Sequence, residues 1–264
     1  MNTLKLVLFS LKINKKKILY WALSIFVITF FYMILFPSMQ DMAQMKLDSM
    51  PKGVLEFVGM DQMSELSNFI SYAGVIYQLL IVVMAVFIAS FAASLLAKEE
   101  KDNTIEYLYS LQVSRNEIYY SKVLTALVAL YLFIIASAAA IFCCGYINGG
   151  ETFIAPDAML IIKTASITPF IFLAIGCLAS GLNPNYAASA IGITVFSYLF
   201  GYLSKIGPEA TEFLEYISPF ELFNSSNSLA LSSDTMLWLS IYSVLSIAFI
   251  VLGGIVYNKR DFKI

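Results

Sequence analysis

The length of its apolar runs constrains this chain more than any other feature. They lie at about 18–36, 72–97, 119–146, 158–181, 185–204 and 236–257. Each is close to the roughly twenty residues with which a helix crosses about 30 Å of hydrocarbon. Composition agrees: of 264 residues, 59% are hydrophobic and only 13% charged, about half the charged share of a soluble domain. The expected fold is an all-α integral membrane protein, one transmembrane domain over residues 1–264 with six transmembrane helices. The first run continues to full span length and no small-residue cleavage site comes after it, so no cleavable signal peptide is expected.

Charge sets the orientation, because cytoplasmic flanks are enriched in Lys and Arg. With the N-terminus inside, the inner flanks hold Lys5, Lys12, Lys15, Lys16, Lys17, Lys98, Lys101, Arg115, Lys122, Lys259, Arg260 and Lys263, twelve of the sixteen basic residues. The outer side then holds Lys46 and Lys52, with Lys163 and Lys205 near outer span ends. Both termini are therefore expected in the cytoplasm. Aromatic belts agree, with Tyr20, Trp21, Tyr119, Tyr120 and Tyr257 at inner boundaries and Tyr146, Tyr202 and Trp238 at outer ones.

Several chemistries are excluded by what the chain lacks. It has no histidine, which removes His-ligated metal sites, Ser-His triads and imidazole relays. An intramembrane protease built on Glu99-Glu100 would need histidines too. Cys143, Cys144 and Cys177 fall inside apolar runs and read as small buried hydrophobes, not as a disulfide framework. No Gly-Lys pair occurs, so there is no P-loop. This chain is not expected to be an enzyme or to hold a cofactor of its own. Lys163 is the one ionisable candidate inside a span, and either snorkels to the outer surface or meets an anionic substrate. Without an intramembrane Asp or Glu, proton- or sodium-coupled transport is disfavoured.

The connecting segments carry further signals. Residues 3–17, TLKLVLFSLKINKKK, fit an N-terminal interfacial helix with its lysines among anionic headgroups. The outer segment 37–71 is rich in Met; Met39, Met42 and Met45 are spaced to share a helix face. That face either packs on membrane or a second subunit, or adapts to apolar ligands. In the outer segment 205–235 a small surface helix is expected, and Asp234 can cap the last span. Pro169 is placed to kink span 4. Asn183 before Pro184 reads as a cap and first helical residue. Gly176 with Ser180, and Ala188 with Gly192, permit close helix packing, within one subunit or between two.

The inner elbow, KEEKDNTIEYLYSLQVSR over residues 98–115, is the longest of the polar interruptions that face inward. Span 2, at about 26 residues, is roughly 39 Å long and either tilts or reaches into the cytoplasm. Asn103 is placed to stop it, since Asn tolerates left-handed geometry, or to cap the next helix together with Glu106. TIEYLYSLQ then reads as a short amphipathic helix with Ile105, Leu108 and Leu111 on one edge. Ser114 and Glu117 form a capping box before span 3. A turn alone would need two or three polar residues. A capped stop, a crosswise helix and a capped restart read as a rigid ledge for a cytoplasmic partner, ringed by Glu99, Glu100, Lys101, Asp102 and Glu106.

These residues resemble the signature of the type-2 ABC transporter permeases. The family pattern reads here as Glu99-Glu100, Asn103-Thr104-Ile105-Glu106, Tyr107-Leu108, Leu111-Gln112-Val113-Ser114-Arg115 and Lys122. Asn103 stands where the family usually has Gly, and Gln112 where it has Pro. SPFELF at 218–223 and the tail YNKRDFKI are similar to the family as well. The resemblance implies that the inner helix is a cytoplasmic coupling helix docked on a separate ABC ATPase subunit. ATPase coupling would then rest on Glu99, Glu100, Asn103, Thr104, Ile105, Glu106, Tyr107, Leu108, Leu111, Ser114 and Arg115. It implies an assembly of two ATPases and two permeases, the second a copy or a sibling, in contact with membrane lipids and no nucleic acid. The expectation is the permease subunit of an ATP-driven exporter in a bacterial plasma membrane. Its apolar and aromatic walls suit an amphipathic or hydrophobic compound such as a peptide, an antibiotic or a lipid-like molecule. The alternative is a non-transporting membrane partner or channel, such as an immunity or sensor protein.

Overall fold

Each apolar run is a helix. The computed structural model describes residues 3–49, 68–102, 104, 113–206, 209–223 and 225–260. Among these, six helical segments are long and apolar enough to cross a membrane, and there is no strand. Span 1 is Thr3–Ile34, continued by Phe36–Ser49; span 2 is Phe69–Lys101; span 3 is Arg115–Asn148. Span 4 comes in two pieces, Ala155–Ala165 and Ile167–Leu182; span 5 is Ala187–Ile206 and span 6 is Ser233–Lys259.

Residues 3–17 are helical, but they run into span 1 without a break and form no separate interfacial element. The reason is local: neither Gly nor Pro occurs from Thr3 to Phe36, so nothing stops the helix once begun. Breaks come where proline demands them. Span 4 is interrupted at Ser166, three residues before Pro169, whose ring clashes with the carbonyl four residues back and which donates no hydrogen bond. Leu35 interrupts span 1 in the same way ahead of Pro37. Asn183 accepts a hydrogen bond from the Asn185 N–H at 2.9 Å and starts a short 3-10 turn at Pro184–Tyr186 that leads into span 5. At span 6 the cap is Ser232, not Asp234: the Ser232 hydroxyl accepts the Thr235 N–H at 3.1 Å, and Asp234 sits in the first turn beside the helix's positive end.

Spans 2 and 4 form the centre. About two-thirds of the most apolar stretch of span 2 is buried (67%) and 61% of that of span 4, against 22% for spans 1, 5 and 6. Span 1 lies along span 3, while spans 2 and 6 flank span 4 and span 5 leans on span 2. The central crossing depends on small residues. A side chain at Gly176 would stand 2.4 Å from the Ala89 carbonyl oxygen, and one turn on the Ser180 hydroxyl donates to the Ala93 carbonyl at 2.8 Å. That pair is used inside the subunit; Ala188 is exposed, and the space where a Gly192 side chain would stand is open. Cys144 and Cys177 are buried, whereas Cys143 faces outward.

In the outer half, rings fill the gaps. Phe69 meets Phe36 and Phe153 edge-on at 5.1 and 5.5 Å. The outer segment expected to hold a small helix carries a 3-10 stretch, Glu209–Ile217, and two short helices, Pro219–Leu222 and Ser225–Ala230. SPFELF turns inward and is buried from Ser218 to Phe223. Phe220 stacks on Phe172 at 5.2 Å and meets Tyr198 edge-on at 5.6 Å. The Thr168 hydroxyl, beside the span 4 break, donates to the Pro219 carbonyl at 3.1 Å.

Candidate functional site

The inner ends of spans 2, 3, 4 and 6 meet in one polar network, and the elbow hangs from it. Span 2 ends at Lys101 with Asp102 as its C-cap, and the Asp102 N–H donates to the Lys98 carbonyl at 2.9 Å. The Thr104 N–H returns to the Glu99 carbonyl at 2.8 Å, the long bond of a Schellman-type helix end. Asn103, Ile105, Glu106, Tyr107, Leu108 and Leu111 lie outside the described residues, and with them the expected coupling helix. Beyond them Val113 is buried, and Ser114 starts span 3 with the expected capping box. Its hydroxyl accepts the Glu117 N–H at 3.2 Å, and the Glu117 carboxylate accepts the Ser114 N–H at 3.0 Å. The chain therefore leaves one secured helix end and enters another.

Glu99 and Glu100 do not ring the outside of a ledge. Glu99 pairs with Lys122 of span 3, and Glu100 with Arg260 just past span 6. Side-chain exposure is 17% for Glu99 and 8% for Glu100. Carboxylates this covered need a partner, because deleting the counter-ion of a buried charge costs roughly 3–5 kcal/mol. The two neighbouring carboxylates thus tie span 2 to different helices, one to span 3 and the other to span 6.

Arg260 is the hub. One terminal nitrogen pairs with Glu100, the other donates to the Ser180 carbonyl of span 4 at 2.9 Å, and the guanidinium lies 5.0 Å over the Tyr257 ring. The planar fork of arginine suits this task; a lysine would offer a single point charge in its place. Burial lowers its pKa to about 10, so it stays cationic at neutral pH. Arg115 completes the loop by donating from one nitrogen to the carbonyls of Asn258 and Arg260 at 3.0 and 2.9 Å. Asn258 in turn bonds the Asn116 side chain and donates to the Gly254 carbonyl at 2.9 Å. Above the network Tyr119 wedges against Gly253 and Gly254, its hydroxyl donating to the Ile250 carbonyl at 2.8 Å. A side chain at Gly253 would stand 2.5 Å from that hydroxyl.

Of the residues expected from sequence, Glu99, Glu100, Thr104, Ser114 and Arg115 come together here. The sequence pattern does not single out Asn116 or the Ser180 carbonyl, and it shows Asn258 only as part of a tail motif and Arg260 only as part of that motif and as one of the inner basic residues. A signal is present nonetheless: two adjacent carboxylates at an inner span end, and a basic residue after the last span on the same side. Elsewhere, Lys163 is exposed on span 4, and Met39, Met42 and Met45 are exposed along Phe36–Ser49. Met50, Met60 and Met63 lie outside the described residues. Between spans 4, 5 and 6 an apolar cavity of about 500 Å3 is lined by residues including Ile171, Phe172, Phe196, Tyr242 and Phe249.

Residues 7–258 match the family described as "Multidrug efflux system permease Rv1217c, C-terminal domain". No curated protein matches the chain.

Proposed function

The chain belongs to this permease family, and on that premise we propose that it is the transmembrane subunit of an ATP-driven exporter, energised by separate ABC ATPase subunits. The observation that carries the reading is the mounting of the elbow, whose two flanking helix ends are bound through Glu99, Glu100 and Arg115 to spans 3 and 6. A push on the elbow would therefore reach several spans together, as closure of a docked ATPase pair requires. Absence of a P-loop from the sequence assigns hydrolysis, with its ATP and Mg, to the partner. A second permease, a copy or a sibling, would complete the pathway in a bacterial plasma membrane.

For cargo, an amphipathic or hydrophobic compound fits best. The cavity between spans 4, 5 and 6 has a volume in the range of small-molecule sites and is walled mostly by aliphatic and aromatic side chains. The test is co-purification with the ATPase encoded beside it. Replacing Glu106 and Leu108 by Ala is expected to abolish association while the permease remains folded; undiminished association would remove the elbow from the coupling role. ATP-dependent efflux from proteoliposomes holding both subunits is the functional counterpart, and its absence would favour a non-transporting role.

A further inference from the structure

The charges of the KEEKD run divide between two sides of span 2. Glu99 and Glu100 turn toward Lys122 and Arg260. Lys98 and Lys101 turn the other way, into a pocket of about 340 Å3 between the start of span 1, the end of span 2 and the start of span 5. Asn14, Lys17, Asp102 and Ala187 also line it. Lys17 is held there by span 2, its ammonium 5.6 and 5.2 Å from the ring centres of Phe87 and Phe91.

Three lysines thus line the pocket together with a single carboxylate, Asp102. Among the described residues none of the three lysines makes an ion pair. The lining sets three positive charges against one negative while Glu99 and Glu100 are committed elsewhere, a surplus that an anion would offset. Depth narrows the choice. The pocket lies at the inner membrane boundary fixed by the basic flanks, where the anionic headgroups of the cytoplasmic leaflet lie, and basic pockets between spans on that side take such headgroups. We propose that Lys17, Lys98 and Lys101 bind the phosphate of an anionic phospholipid from the cytoplasmic leaflet. The bound lipid would join the N-terminal extension of span 1 to the end of span 2 from which the elbow departs.

The purified full chain, titrated in detergent with phosphatidylglycerol, phosphatidylcholine or sodium phosphate, tests this by native mass spectrometry and thermal unfolding. Phosphatidylglycerol should bind and raise Tm, and K17Q/K98Q/K101Q should bind it at least about tenfold more weakly. K12Q/K15Q/K16Q removes the same charge from positions of span 1 outside the pocket and should bind as the wild type does. Equal loss in both triple variants, or wild-type binding by the first, overturns the proposal. So does inorganic phosphate that stabilises as well as the lipid, which would assign the pocket to a soluble anion. Should the first triple variant unfold, K98Q alone, with its Tm in phosphatidylcholine unchanged, is expected to weaken phosphatidylglycerol binding by about threefold; unaltered binding by a folded K98Q would overturn the assignment equally.

Discussion

At its inner end the bundle is cross-tied by charge: Glu99 to Lys122, Glu100 to Arg260, and Arg115 to two carbonyls at the end of span 6. In its outer half aromatic rings join the helices instead, Phe36, Phe69 and Phe153 in one group and Phe172, Tyr198 and Phe220 in another. The two kinds of contact resist different things. A covered ion pair with a forked arginine fixes distance and angle, and breaking it leaves a charge without solvent. Ring packing is less directional and tolerates swaps of similar volume. On the proposed reading the inner end would move as one piece, whereas the outer half could re-pack around a pathway.

The comparison breaks most visibly at Arg260. Arg260→Ala strands Glu100 and removes the bond to Ser180, so a loss approaching the roughly 3–5 kcal/mol of a buried pair deprived of one member is expected. Thermal unfolding of the purified permease measures it. Glu100→Gln combined with Arg260→Gln should recover part of the loss, because no lone charge remains.

Next in size is the central crossing that connects the two ends. Gly176→Leu drives a side chain toward the Ala89 carbonyl, which stands 2.4 Å from the first added carbon. Because the obstacle is backbone, the helices must separate, at a cost of about 1–3 kcal/mol or more. Gly192→Leu meets open space and should leave the stability of the isolated subunit unchanged. A reversal of this order would mean that spans 2 and 4 do not cross here.

The outer half is expected to be more forgiving. Phe220→Leu keeps an apolar group against Phe172 and Tyr198 and should cost below about 1.5 kcal/mol. Denaturant unfolding would show whether the ring cluster is as plastic as its chemistry suggests. Ser114→Ala removes a cap from span 3 and should cost about 1 kcal/mol. Because that cap adjoins the elbow, its effect on ATPase stimulation should exceed that of Phe220→Leu.

Legibility in the sequence depends on the range of the interactions. The Ser114–Glu117 box, the Asn183 cap and the break ahead of Pro169 are decided within a few residues, and all are found in the structure. Asp234 and Ser232 show the limit of such local reading. Both residue types cap helices, and the choice between them depends on where the helix begins. The continuity of span 1 is hidden by its lysines, which suggest an interface, whereas polarity alone does not end a helix that has no Gly or Pro. The network partners are least legible. Glu100 meets Arg260 across 160 positions, and only the packing of span 6 on span 4 brings them together.

On the proposed reading the inner network transmits the movement of the ATPase through the elbow. The most direct test is the ratio of substrate exported to ATP hydrolysed in proteoliposomes containing the complete complex with Arg260→Lys. The charge remains, but the fork that holds Glu100 and Ser180 together is lost. The complex is expected to assemble and still hydrolyse ATP, but to export less per ATP. An assembled complex with the wild-type ratio would contradict it.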